Sequence, residues 1–159
     1  MKVVHSFVVA LIFAFLVSIV ANAADFTGPA IVHDGDTLTI DKQHFRLLGI
    51  DAPELAQTCQ MHDGSIWHCG VVAGASLRVH IWNRPVRCTT VKKDHFGRSL
   101  AECFLGTESL NAWMVENGLA VAYRKYSTKY VPLENEARKA LKGIWEGTFV
   151  PPEQWRRTH

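Results

Sequence analysis

Residues 30–54 read AIVHDGDTLTIDKQHFRLLGIDAPE. Three short runs of β-prone residues, 30–32, 37–40 and 45–50, are separated by turn-forming residues such as Asp-Gly. Pro53 ends the third run, because proline donates no backbone hydrogen bond and holds the residue before it in an extended conformation. The stretch therefore predicts three consecutive strands.

The rest of the chain alternates between helical and extended patterns. The spacing of apolar residues predicts helices over 71–83, 108–117 and 133–143. Two further β-rich runs, 86–91 and 100–105, form a hairpin between the first helix and the second. Five short strands interrupted by a helix after the third are typical of an OB-type barrel. We therefore expect an α+β fold, mainly β, built as a five-stranded OB-fold barrel with three α-helices.

Two details of the helices can also be predicted. In the first helix, the apolar residues at helical spacing predict a buried face, and they are Val72, Ala75, Val79 and Trp82. In the second, Thr107 is expected to act as the N-terminal cap, because its hydroxyl can accept a hydrogen bond from an unpaired backbone N–H.

Residues 1–23 have the pattern of a secretory signal peptide, with Lys2 near the start, a long apolar run and small residues at the end. A membrane anchor is the alternative, but no basic residues follow the run directly. We expect cleavage after Ala23, which leaves one OB-fold domain over 24–150 and a loosely ordered tail over 151–159. The protein is then secreted or periplasmic, with no stable membrane association. Loss of one lysine lowers the formal net charge from +2 to +1, so charge alone indicates no partner.

All the cysteines lie after this leader, and they are Cys59, Cys69, Cys88 and Cys103. An even number in an exported chain predicts two disulfides. Three pairings are possible, but the predicted hairpin would place Cys88 opposite Cys103, which leaves Cys59 to pair with Cys69. Zinc, with the histidines between Cys59 and Cys69, is the alternative that an oxidising compartment disfavours.

Acidic residues gather at the ends of the predicted strands. Asp36 begins the second strand and Asp51 follows the third, so in an antiparallel pair their carboxylates converge at one rim of the barrel, where hard oxygen ligands suit Ca²⁺. Each also has an ordinary interpretation, as a hairpin turn at 34–36 and as a loop at 51–54. Arg46 on the strand between them favours a functional site. Strand alternation would set it among apolar residues, where a guanidinium must be paired.

Carboxylates beside arginines fit phosphodiester hydrolysis. The transition state gathers negative charge on the phosphate oxygens, which a metal ion and planar guanidinium groups neutralise. Water is a poor nucleophile at neutral pH, so a carboxylate such as Glu54 can act by removing its proton. Arg98, near the tip of the second hairpin, is by itself equally consistent with a solvated arginine.

Three segments resemble the signature segments of the staphylococcal nuclease (thermonuclease) family. They are HDGDT at 33–37, FRLLGIDAPE at 45–54 and FGRSLA at 96–101. The similarity continues through 118–123 and 134–145, and so spans nearly the whole chain after the leader. The resemblance implies an OB-type barrel with three helices, calcium-dependent hydrolysis of DNA and RNA, and products with 3′-phosphate ends.

Carried across position by position, the resemblance implies three kinds of site residue. The calcium ligands would be two carboxylates and one backbone carbonyl, from Asp36, Asp51 and Ala52. The catalytic residues would be a general base and two phosphate-binding arginines, namely Glu54, Arg46 and Arg98. The substrate contacts would come from His95, Phe96 and Tyr123.

Two functional hypotheses follow from these features. The first is a secreted, calcium-dependent, sugar-nonspecific nuclease, expected as a monomer with nucleic acid as its partner. The second is a non-catalytic OB-fold module that binds nucleic acid or oligosaccharide. A pure binder has little use for a general base, so the presence of Glu54 beside the arginines favours the enzyme.

Overall fold

The computed structural model describes residues 24–159, and the predicted signal peptide lies outside the described residues. Twelve short strands run in chain order, β1 Asp25–Gly28, β2 Ile31–Val32, β3 Thr37–Ile40, β4 Gln43–Leu47, β5 Ile50–Asp51, β6 Cys59–Met61, β7 Ile66–Trp67, β8 Val86–Lys93, β9 Ser99–Leu105, β10 Glu108–Ser109, β11 Val121–Ala122 and β12 Gly147–Thr148. The helices are α1 Cys69–Ile81, α2 Leu110–Glu116, α3 Val131–Lys139 and α4 Pro152–Thr158, with a 3-10 turn at Gly143–Glu146.

One sheet forms the body of the domain, in the order β1-β8-β9-β4-β3-β2, with β10 added beside β9. The β4–β9 pair is parallel, and the other pairs are antiparallel. The predicted α+β, mainly β, OB-like fold is confirmed, although the sheet stays open between β1 and β2 in the described part of the chain. A fourth helix and several two-residue strands add to the five strands and three helices that we expected.

The predicted third strand is broken by Gly49. β3 and β4 are joined by a two-residue turn in which Asp41 and Lys42 have positive φ, but Gly49 then takes φ 79°. This left-handed position, which glycine adopts without penalty, starts a separate strand, β5. The alternation from Arg46 to Ile50 that the sequence suggested is therefore interrupted, and Arg46 lies on the opposite face of β4 from the buried Phe45 and Leu47.

The predicted buried face of the first helix is wrong. Val72, Val79 and Trp82 are exposed, whereas the core side of α1 is formed by Ala73, Leu77 and Ile81. Both sets have helical spacing, so periodicity alone could not choose between them.

The second helix is capped by Ser109 and not by Thr107, since the Ser109 hydroxyl accepts a hydrogen bond from the Ala112 backbone N–H at 3.2 Å. The β10 strand, Glu108–Ser109, ends at this cap residue. Within α2, the buried Asn111 receives a hydrogen bond from the Cys103 N–H and donates to the carbonyl of Leu48. This side chain joins the helix to the end of β4, next to the rim that carries the acidic residues.

Both predicted disulfides are present. Cys88 and Cys103 are directly opposite in the β8–β9 register and belong to the main core. Cys59 and Cys69 join β6 to the start of α1, in a smaller second cluster of buried residues.

The segment 151–159, which we expected to be a loosely ordered tail, contains α4. The segment before it pairs with β6 through β12, and the buried Gln57 donates to the carbonyl of Val150 at 2.7 Å. Pro152 is well placed in the first turn, where a missing N–H costs nothing, and it is buried.

Between residues 24 and 159, none of the helices has the length and apolar character needed to span a bilayer.

Candidate active site

Asp36, Arg46 and Asp51 form a buried cluster at one rim of the sheet. Arg46 on β4 donates from Nη1 to Asp36 Oδ1 and from Nη2 to Asp51 Oδ1, both at 2.7 Å. The arginine side chain is 12% exposed and the aspartates 4% and 1%. The second oxygen of Asp36 accepts the backbone N–H of Ala52 at 3.0 Å. The structure thus brings together four of the residues that the sequence placed in the site.

Close backbone packing holds this cluster. A Cβ at Gly35 would lie 2.6 Å from Ala52 Cβ and 2.9 Å from Ala73 Cβ, so glycine lets the 34–36 turn approach both α1 and the residue that follows β5. A Cβ at Gly70 would lie 1.7 Å from the Glu54 carbonyl oxygen. Gly35 is therefore needed because a side chain at this position would push the 34–36 turn, and with it Asp36, away from the rest of the rim.

Burial changes the titration of the aspartates. Loss of water raises the pKa of Asp36 to about 7, against the opposing attraction of Arg46. Burial also raises the pKa of Asp51, although hydrogen bonds and charges from arginines oppose the shift. The site therefore holds its negative charge at a cost in folding free energy.

The pH dependence of stability tests this burial. Asp36 titrates at about 7 in the folded protein and near 3.8 when free, so between these values the folded state holds a proton that the unfolded chain has released. Without added divalent cation, the free energy of unfolding should fall as pH rises through this window, by at most about 1.4 kcal/mol per pH unit from this group. Denaturant curves of Asp36→Asn should depend less on pH than those of wild type. Parallel profiles for the two proteins would contradict the raised pKa.

Glu54 lies on the loop after β5, where Gln57 fixes the backbone. The Gln57 N–H donates to the Glu54 carbonyl at 2.7 Å, and the Gln57 side-chain oxygen accepts the Glu54 N–H at 3.2 Å. The Glu54 carboxylate itself remains 34% exposed. A rigid backbone with a partly exposed carboxylate is what a group that exchanges protons with water requires.

Arg156 on α4 is a site residue that the sequence did not reveal. It donates from Nη1 to Asp51 Oδ1 at 2.9 Å and to Glu54 Oε1 at 2.8 Å, and from Nη2 to Asp51 Oδ2 at 3.0 Å. Burial would lower the pKa of Arg156, but its bonds to the two carboxylates raise it further above its ordinary value. The sequence around Arg156 shows only the pattern of a helix start, with Pro152, Glu153 and an arginine four residues later at 157. Nothing in this pattern indicates a contact with Asp51.

A cleft of about 310 Å³ opens beside the cluster. Arg46, Glu54, Arg156 and Arg98 are among the residues that line it. The Nε of Arg98 donates to Asp94 Oδ2 at 2.8 Å. Although burial raises the pKa of Asp94, its hydrogen bonds from Arg98 bring it below the ordinary value.

The predicted substrate-contact residues also reach this cleft. His95 and Phe96 stand at the tip of the β8–β9 hairpin, with Phe96 73% exposed, and Tyr123 follows β11. Tyr126 and Lys125 also line the cleft. Aromatic and basic side chains therefore surround the acidic cluster.

The donor set is consistent in chemistry with a hard cation. In the range 24–159, no three Asp, Glu, His or Cys residues are already arranged around a common metal position. The guanidinium groups of Arg46 and Arg156 lie among the carboxylates. Burial is the largest cause of the raised pKa of Asp36; Arg46 opposes it, and the charges of Asp34 and Asp51 add to it. Carboxylate oxygens are ligands that Ca²⁺ prefers.

Fold and site together define a class of protein, a small OB-like domain with an arginine–carboxylate cluster and an aromatic cleft on one rim. A family model described as staphylococcal nuclease homologue matches residues 44–147. The chain is 34% identical to a thermonuclease of Staphylococcus hyicus, over 79% of each chain. It is 33% identical to the succinoglycan biosynthesis protein ExoI of Rhizobium meliloti (strain 1021), over 86% of this chain and 73% of that one. It is 30% identical to a micrococcal nuclease of Shigella flexneri, over 84% and 82%.

The chain belongs to the staphylococcal nuclease homologue family. This confirms the resemblance that the three sequence segments indicated.

Proposed function

We propose that this protein is a secreted, calcium-dependent nuclease that hydrolyses phosphodiester bonds of DNA and RNA and leaves 3′-phosphate ends. The observation that carries the proposal is that Glu54 and Arg98 line the same cleft, beside the Asp36–Arg46–Asp51 cluster. Relatives named thermonuclease and micrococcal nuclease support the same activity.

Asp36 and Asp51, with the backbone carbonyl of Ala52, would hold the calcium ion. When bound, the ion would supply positive charge against the phosphate oxygens and lower the pKa of a water molecule.

The arginines would bind the phosphate. Each terminal amino group of Arg46 has two N–H bonds, and a carboxylate takes one of them, so further donors remain for the substrate. Asp94 holds Arg98 through Nε, the one side-chain bond found for it in the described part of the chain, so both terminal amino groups remain for a bidentate contact. Such contacts strengthen as negative charge grows in the transition state.

Glu54 would act as the general base. It accepts a proton from water as the water oxygen forms a bond to phosphorus. The bond from phosphorus to the 5′ oxygen breaks, and this oxygen takes up a proton. The phosphate stays on the 3′ oxygen, which gives the proposed 3′-phosphate end.

The cleft supports a substrate with unstacked bases. Phe96, Tyr123 and Tyr126 offer aromatic faces on which any base can stack, while Lys125 can follow the phosphate backbone. Stacking of this kind does not depend on sequence, so single strands of either DNA or RNA fit the proposal. The two disulfides support an oxidising compartment, secreted or periplasmic, and the proposed enzyme acts as a monomer.

A cleavage assay tests the proposal. Purified protein should degrade single-stranded DNA with Ca²⁺ and stop when EGTA removes the ion, with full recovery when Ca²⁺ is restored. Full activity in EGTA would overturn the calcium assignment. Binding of the same strand with Ca²⁺ but no cleavage would favour the alternative, a non-catalytic binding module.

A further inference from the structure

The three hydrogen bonds of Arg156 engage both carboxylates that the proposed chemistry needs. Its Nη1 bridges Asp51 Oδ1 and Glu54 Oε1 at 2.9 and 2.8 Å, and its Nη2 reaches Asp51 Oδ2 at 3.0 Å. Arg46 already donates to Asp51 Oδ1 at 2.7 Å. Guanidinium groups therefore contact both oxygens of Asp51.

A calcium ion and Arg156 cannot occupy this position together. Calcium binds carboxylate oxygens at roughly 2.3–2.6 Å. Arg46 and Arg156 together take both lone pairs of Asp51 Oδ1, and Arg156 takes one of the two on Oδ2. The two cations would also repel each other at this separation in a partly buried site. Binding of the ion at the position that Arg156 now fills therefore requires Arg156 to leave.

The helix that carries Arg156 is able to leave. α4 has seven residues, and Pro152 is its only buried residue among those described. The preceding segment is anchored separately, by the bond from Gln57 to the Val150 carbonyl and by the β12–β6 pair. A short helix with few buried contacts opens at low cost, while the anchored segment keeps it near the site.

We propose that Arg156 competes with the divalent cation for Asp51 and Glu54, and so sets the cation concentration at which the site becomes active. The inference rests on the proposed calcium-dependent function. At low calcium, Arg156 neutralises the ligand and holds the base in an ion pair. At high calcium, Arg156 withdraws and frees the Glu54 carboxylate to accept a proton from water.

Calcium affinity is the first test, measured by isothermal titration calorimetry on the folded protein without substrate. Arg156→Ala should bind Ca²⁺ more tightly than wild type, on the order of tenfold, because one charge-assisted bidentate contact no longer competes. Arg156→Lys should lie between the two, since lysine keeps the charge but loses the fork geometry. The matched control is Arg157→Ala, which removes the neighbouring arginine of α4 that pairs with Glu153, and it should bind as wild type does.

Hydrogen exchange of the wild-type protein gives a second test that needs no variant. Calcium should speed exchange in residues 152–158 and slow it in residues 50–54. Unchanged or slower exchange in α4 would overturn the competition. So would equal affinities of wild type and Arg156→Ala, a result that would instead assign Arg156 to substrate binding if the variant lost DNA affinity. Absence of calcium binding in both proteins would overturn the proposed function itself, and the inference with it.

Discussion

Glu54→Gln is expected to lower the rate of DNA cleavage at saturating Ca²⁺ by on the order of a hundredfold or more. Positioned general bases contribute about 10²–10⁴-fold, and glutamine has the same shape but cannot accept the proton of water. The side chain is partly exposed, and the loop is held by backbone bonds to Gln57, so the fold should not depend on this charge. Single-turnover measurements with a labelled strand would separate the chemical step from binding.

A second acidic residue provides the control for this result. Glu116 is exposed at the end of α2, away from the cleft residues, and Glu116→Gln should cleave at the wild-type rate. Binding of single-stranded DNA by Glu54→Gln should stay close to that of wild type. A rate within a fewfold of wild type would exclude Glu54 as the base and leave the proton to another acceptor.

Loss of the Cys88–Cys103 disulfide has the largest expected effect on stability. The two half-cystines are fully buried in the main core, and the bridge closes a loop with a sequence separation of 15 residues. In the double variant Cys88→Ala/Cys103→Ala the unfolded chain gains conformational entropy, which lowers the free energy of unfolding by roughly 3 kcal/mol for a loop of this length. The substitutions also leave a cavity between β8 and β9. We expect a fall in Tm of roughly 10 °C or more, measured by circular dichroism.

The second disulfide is the matched comparison. Cys59–Cys69 closes a loop with a separation of 10 residues and packs in the smaller cluster, so its removal should lower Tm less. It should affect cleavage more, because the buried Cys69 Sγ lies 3.6 Å from the carbonyl of Gln57, the residue that holds the Glu54 loop. Equal losses of Tm for both double variants would show that core packing around Cys88 contributes little beyond the cross-link.

The strands and the disulfide pairing could be predicted because their causes are local. The Asp41–Lys42 turn and the Cys88–Cys103 hairpin depend on neighbouring residues, and β-prone runs need only a partner on each side. The predictions of the buried face of α1 and of the N-terminal cap of α2 were wrong for a related reason. In each case two choices fit the local sequence equally well, and contacts with the sheet decided between them.

The family, the five main strands, the first three helices, and Asp36, Arg46 and Asp51 at the rim can all be read from local sequence. The contacts between these rim residues, and the addition of Arg156 to them, depend on how the elements pack. Arg46 pairs with both aspartates because the start of β3 and the ends of β4 and β5 meet at the same rim, and the Arg156–Asp51 pair spans 105 residues of chain. A pair at that separation leaves no pattern in either segment, because it exists only after burial of the core has brought α4 against the rim.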